Sequence, residues 1–272
     1  MALSYFFVEE LNNGLLQLDE DTSRHMIGVL RMAKGQDVLL TDGRGRKATA
    51  QIVDDNRKRC VVQVSSVQEE TESTPRVSIA ISIVKNSSRF EWFLEKATEI
   101  GVNEIIPLLC ERTEKEKFRY DRMKGILVSA MLQSQQAWLP LLHEPQNFQE
   151  VVTNVAQEQR LIAHCLPEQK AQLSSLVHPT SSLILIGPEG DFTPREIALA
   201  LQEGFVPVAL GKAHLRAVGE FPQGGQDFPL HVGGRTLGRI AEKNLVLDLQ
   251  APQVRVEHVQ LFVNSQASFS SG

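Results

Sequence analysis

A chain of 272 residues, 42% hydrophobic and 22% charged, has room for one large or two modest domains of soluble globular character. Its net charge of −5 argues against a protein that coats nucleic acid indiscriminately. No run approaches the ~18 consecutive apolar residues of a membrane span and the start "MALSYFFVEELNNG" has no basic leader, so no membrane partner and a cytoplasmic location are expected. Cys60, Cys110 and Cys165 are far apart and form no C-x-x-C, so neither a disulfide framework nor a metal site is supported, and all three read as small core hydrophobes.

Residues 1–72 read as a small β domain. "SYFFVEE", "QDVLLTDGRG", "KATAQIVDD" and "RCVVQVSSV" alternate or run apolar between Gly, Asp and Asn clusters. One helical segment interrupts them, "DEDTSRHMIGVLRMAKGQ", with Ile27, Leu30 and Arg31 a turn apart and Lys34-Gly35 as its end. Between Arg24 and Arg59 nine Lys and Arg face four Asp, a basic region in an acidic whole. On charge alone this is either a phosphate-contact surface or the solvated face of a β domain.

The polar run "QEETESTP", Gln68 to Pro75, reads as a linker and sets a domain boundary near residue 72. Beyond it "RVSIAISIV" is a strand, "SSRFEWFLEKATEIG" a helix capped at Ser87 or Ser88 and closed by Gly101, and "VNEIIPLLC" the next strand. "YDRMKGILVSAMLQSQQAW" is an amphipathic helix with Met123, Ile126 or Leu127, Ala130 and Met131 as its buried stripe, and "RLIAHCL" is a strand.

Leu183 to Ile186 is apolar on both faces, as in a central strand of a parallel sheet. It stops at Gly187-Pro188-Glu189-Gly190, where two glycines permit positive φ or close approach of a ligand and the proline stiffens the turn. Thr193 then reads as an N-cap, Pro194 as the first helical residue, Glu196 as the partner in a capping box and Gly204 as the stop. "FVPVALG" follows as a strand, completing a βαβ unit with both glycine loops on the rim where open α/β sheets bind ligands. Neither G-x-G-x-x-G nor a P-loop occurs, so the ligand is not announced by a dinucleotide or phosphate fingerprint.

These residues together resemble the RsmE family of SPOUT-class methyltransferases. The resemblance rests on "RHMIGVLRMAKGQDVLLTDGRGRKATAQI", "IVKNSSRFEWFLEKATEIGVNEIIPLLCERT", "LVSAMLQSQQAWLP", "LIGPEGDFTPREI" and "FVPVALGKAHLR", and covers residues 1–216 in order and spacing. It implies an α/β protein: a small PUA-like RNA-binding β-barrel over 1–72, then a trefoil-knotted SPOUT domain over 73–216 that pairs as a homodimer. It implies S-adenosylmethionine as cofactor and N3 of a uridine in 16S ribosomal RNA, free or in the small ribosomal subunit, as substrate.

By the same resemblance Ile186, Gly187, Pro188, Glu189 and Gly190, with Leu210, Gly211 and Leu215, hold the adenosyl group largely through backbone. Glu189 is read as ordering its loop and His214 as a surface residue. Arg216 is the candidate catalytic residue, placed to stabilise the charge left on uracil when N3 loses its proton. Arg24, His25, Arg31, Arg44 and Arg46 are the expected RNA-facing positions, positioning phosphates rather than reading bases.

The resemblance stops at Ala217. Where the family continues into Thr-Glu-Thr-Ala and an apolar helix that threads the knot, this chain reads "AVGEFPQGGQDFPLHVGGRTLGRI". The resemblance therefore does not carry knot closure, and a protein of the same fold that binds RNA without the cofactor is the alternative function. In the tail, 217–272, "NLVLDLQAPQVRVEHVQLFVN" suggests a hairpin turning at Ala251-Pro252, and "SQASFSSG" an irregular end.

Overall fold

Alternation of apolar residues builds the first sheet. The structure, a computed structural model, describes residues 3–114, 117–166, 170–173, 176 and 180–209, together with the backbone of 228–232, 235–241 and 244–247. It divides into two units, the first made of Met1–Ser73, Glu91–Ile105 and Lys117–Glu144. Here β1 (Tyr5–Phe7), β2 (Gly14–Gln17), β3 (Asp37–Thr41), β4 (Arg46–Asp54) and β5 (Val61–Glu69) form a sheet in the order β1-β3-β4-β5-β2. Every second residue of β4, Ala48, Ala50 and Ile52, points into a core shared with Leu40, Val62, Val64 and Met26. Sequence alternation finds four of these strands and misses β2, which is short and pairs only with β5.

The expected helix through Lys34 is shorter and of another kind. Asp19 caps α1 (Glu20–Ser23), and Arg24–Val29 continues as a π-helical turn in which Leu30 N donates to the His25 carbonyl at 2.9 Å. The wider turn ends at Leu30, and the chain leaves it through Arg31 at φ 54°.

One helix and the greater part of another complete this unit. In α3 (Tyr120–Gln133) the buried stripe is Met123, Leu127, Ala130 and Met131, so Leu127 rather than Ile126 faces inward. Neither expected cap precedes the helix α2 (Ser87–Glu99): Ser87 is already its first residue, and Asn86 Oδ1 before it accepts from Ser88 N at 3.0 Å. Its last carbonyls, Thr98 and Glu99, accept from Gln136 Nε2 at 3.0 and 2.7 Å, and Gly101 turns away at φ 77°. The strand β7 (Glu104–Leu109) begins here, pairing in parallel with β8 (Leu141–Leu142).

The second unit, Thr74–Phe90, Ile106–Glu116 and Pro145–Gly272, takes over the remainder of β7. Its sheet contains β6 (Val77–Ser82), β9 (Gln146–Asn147), β10 (Gln159–Ala163), β11 (Ala171–Gln172), β12 (Ser182–Ile186) and β13 (Val206–Ala209). The order is β11-β13-β10-β12-β6-β7, with β9 beside β7. Every residue of β12 is buried, as a strand flanked in parallel by β10 and β6 requires. The expected βαβ unit runs from β12 through α5 (Pro194–Gln202) to β13, but β10 lies between the two parallel strands. Phe148, Val151 and Val152 of α4 (Phe148–Thr153) and Ile197 and Ala200 of α5 pack with Leu183, Leu185 and Phe192 in one core.

In the tail, β14 (Phe228–Val232), β15 (Arg235–Ala241) and β16 (Asn244–Leu247) form an antiparallel sheet of three strands. The hairpin expected at Ala251-Pro252 lies outside the described residues, as does the segment on which knot closure depends.

Candidate cofactor loop and nucleic-acid surface

The loop after β12 is held from several sides. Thr193 Oγ1 accepts from Glu196 N at 3.3 Å and Glu196 Oε2 accepts from Thr193 N at 2.8 Å, the capping box that the sequence announces. Glu196, 9% exposed, also accepts from Glu111 N at 2.8 Å through Oε1, which ties the start of α5 to the end of β7. From the same segment Arg112 Nη1 donates to the Gly190 carbonyl, and Arg89 Nη1 stands 3.2 Å from Glu189 Oε1. Asp191 Oδ2 accepts from Cys165 N at 2.8 Å.

The glycines act differently from the sequence expectation. Neither Gly187 nor Gly190 is at positive φ; Asp191 takes that role at φ 64°. A Cβ on Gly187 would meet the Phe192 ring at 3.1 Å, and Phe192 is only 2% exposed. Gly187 is thus first a packing requirement of the core. At Gly190 the nearest atom is Arg112 Cδ at an ordinary 3.5 Å.

The residues present fit a group gripped by main chain. Gly187 and Gly190 carry no side chain, Gly187 and Pro188 are half-buried and Glu189 and Gly190 exposed, and they follow the buried Ile186 at the end of a fully buried strand. Leu210, Gly211, Leu215 and Arg216 lie outside the described residues. The sequence reading misses Arg89, Arg112 and the bond from Glu111 to Glu196. The available signal is the position of "CERT" immediately after β7.

No thiol here is activated. Burial, with the Glu196 carboxylate adding to it, pushes the Cys110 thiol up to about 12. Burial likewise pushes Cys60 up to about 11, helped by Asp54 and Asp55. Cys165, expected in the core, is exposed. Among the described residues no three His, Cys, Asp or Glu side chains are grouped to hold a metal, and no helix is long and apolar enough to cross a membrane.

The five expected RNA-facing residues do not share one place on the first unit. Arg44 lies on the turn from β3 to β4 and Arg46 opens β4, whereas Arg24, His25 and Arg31 belong to the π-helical turn and its exit. Arg46 Nε donates to Asp42 Oδ2 at 2.6 Å, and Asp42 is 3% exposed. Arg24 pairs with Glu20 at 2.6 Å, and the ring of His25 lies edge-on to Phe6. Arg31 and Arg44 are exposed. Gly45, at φ 86°, fixes the Arg44 turn: a Cβ there would come within 2.4 Å of the Trp138 ring, whose Nε1 donates to the Glu70 carbonyl at 3.0 Å.

Comparison with known families gives the class, an RNA methyltransferase carrying a PUA domain. The RNA methyltransferase domain model matches residues 71–219 and the RNA methyltransferase PUA domain model residues 18–65. The chain is 33% identical over 217 residues to a ribosomal RNA small subunit methyltransferase E from Synechocystis, covering 77% of this chain and 71% of that protein. A crystal structure of a probable rRNA-methyltransferase from Porphyromonas gingivalis superposes with TM-score 0.74 at 37% identity, covering 79% of this chain and 92% of that one. A ribosomal RNA small subunit methyltransferase E from Neisseria gonorrhoeae, bound to S-adenosylmethionine, superposes with TM-score 0.70 at 25% identity over 78% and 90% of the two chains. The chain belongs to the ribosomal RNA small subunit methyltransferase E family, with that family's PUA-like and SPOUT-type α/β fold.

Proposed function

We propose that this chain methylates N3 of a uridine in 16S ribosomal RNA with S-adenosylmethionine, acting in the cytoplasm as a homodimer on the RNA or the small subunit. The observation that carries the reading is the fastened, side-chain-poor loop Gly187 to Gly190 at the end of the buried strand β12, in a chain of this family. When bound, the cofactor supplies an electrophilic methyl group on sulfur.

The chain's part is to hold, orient and stabilise. Ile186 to Gly190, with Leu210, Gly211 and Leu215, would hold the adenosyl group through main chain. Arg112 and Glu196 keep the first of these loops in one shape before any ligand arrives, so its ordering cost is already met by the fold. The uridine N3 must lose its proton before it can take a methyl group, and Arg216 would donate to a uracil carbonyl oxygen to stabilise the charge left on the ring. Arg24, His25, Arg31, Arg44 and Arg46 would place the RNA, and because Arg24 and Arg46 already hold carboxylates, Arg31 and Arg44 carry the larger share.

Titration calorimetry of the full chain with S-adenosylmethionine tests the reading. Saturable heat is expected. Its absence at high protein and ligand concentration would leave a protein that binds RNA through the same fold without the cofactor.

A further inference from the structure

The fold gathers basic residues that are separate in sequence at one end of the five-stranded sheet. Cys60 N donates to Ser23 Oγ at 2.9 Å, tying the end of the β4–β5 hairpin to the start of the π-helical turn. Lys34 N donates to Asp55 Oδ2 at 3.3 Å and Gly35 N to the Ile52 carbonyl at 2.7 Å, tying the exit of that turn to the same hairpin. Lys34 is thereby held at the hairpin whose tip carries Arg57, Lys58 and Arg59, with Arg31 three residues before it, and all five are exposed.

The charges here are not cancelled pairwise. Glu20 and Asp21 pair with Arg24, Asp54 Oδ1 accepts from Asn56 N at 3.1 Å, Asp55 from Lys34 N, and Asp37 Oδ1 from Gln51 Nε2 at 3.4 Å. Among the described residues none of the five cations joins an ion pair. Asn56 Oδ1 accepts from both Lys58 N and Arg59 N, at 2.9 and 3.3 Å, which fixes the hairpin tip and leaves its three side chains to solvent. Next to them the π-helical turn exposes two apolar residues, Val29 at 64% and Leu30 at 45%. Free cations around an exposed apolar pair fit the phosphates and sugar or base faces of a nucleic acid.

We propose that this end of the sheet is an RNA-docking surface: Arg31, Lys34, Arg57, Lys58 and Arg59 contact phosphates, and Val29 and Leu30 pack on a sugar or an unpaired base. It rests on the RNA methyltransferase reading and adds a second foothold to Arg44. The strand β4 separates the two, its eight residue steps from Arg46 to Asp54 spanning roughly 25 Å, so one RNA that reaches both must extend along this strand.

Binding of the full chain to an unmodified 16S RNA fragment, followed as a function of salt, tests this. The triple replacement Arg57→Ala, Lys58→Ala, Arg59→Ala is expected to lower the slope of log K against log salt by about 2 to 3, at ~0.7 to 0.9 for each phosphate no longer neutralised, and to weaken binding at least tenfold. Arg57→Lys with Arg59→Lys should keep the wild-type slope, and Leu30→Ser should weaken binding without changing it. An equal melting temperature shows the triple variant folded; should it melt lower, Arg57→Ala alone carries the test, with a slope change near one unit. Wild-type affinity and an unchanged slope in the folded alanine variants overturn the proposal. Failure of the wild-type chain to bind the RNA at all would instead overturn the reading beneath it.

Discussion

A Cβ atom on Gly187 would stand 3.1 Å from Cδ2 and 3.2 Å from Cε2 of Phe192, a ring in the core beside Phe148. From the sequence alone Gly187 is expected to allow close approach of a ligand, so that a side chain there would disturb only binding. The contact changes the expectation: Gly187→Val overpacks the core and should cost about 1–3 kcal/mol in denaturant unfolding as well as cofactor binding. Gly190→Ala, whose Cβ has room, should stay within about 0.5 kcal/mol of wild type and report cofactor contact alone.

Glu196 serves two elements at once, capping α5 and accepting the Glu111 N–H. Thr193→Ala removes the cap and should cost about 1 kcal/mol. Glu196→Ala also strands a part-buried N–H and should cost more, about 2–3 kcal/mol, in a urea titration. Equal losses would show that the bond to Glu111 contributes nothing.

Arg112 is exposed, so its bond to the Gly190 carbonyl should matter for loop shape more than for stability. Arg112→Ala is expected to weaken S-adenosylmethionine binding three- to tenfold, about 1 kcal/mol, with an unchanged melting temperature. Arg112→Lys should recover part of the affinity, because a single donor can still reach the carbonyl.

What the sequence made legible is local. Leu183 to Ile186 as a central strand and Thr193, Pro194 and Glu196 as a helix start depend on residues within a turn of one another. The stripe of α3 depends on helical spacing alone. The fastenings of the candidate loop join partners far apart in sequence, Arg112 to Gly190 over 78 residues and Arg89 to Glu189 over 100, and no periodicity encodes them. The π-helical turn was hidden because its residues have the same amphipathic pattern as an α-helix. The separation of Arg44 from Arg31 became visible only with the direction of β4.

The thiols give a pH test. Cys165 is exposed while Cys60 and Cys110 are buried, so a thiol reagent should label one cysteine in the native chain and all three after unfolding. Burial and Asp191 raise the Cys165 thiol above its ordinary value, so its labelling should continue to accelerate past pH 9. For Cys110 the folded value of about 12 lies above the ordinary 9.0. Its contribution to stability is complete below about pH 9 and falls as pH rises from there towards 12, where only the unfolded thiol ionises. Cys110→Ser, whose hydroxyl does not titrate in that range, should flatten this alkaline loss.

The activity proposed for this chain is methyl transfer to a uridine ring nitrogen. The direct measurement incubates the full chain with S-adenosylmethionine carrying a labelled methyl group and with unmodified 16S RNA or small subunits, then digests the RNA to nucleosides. Label is expected in N3-methyluridine and is lost with Arg216→Ala. RNA that is bound but carries no label under saturating cofactor would contradict it.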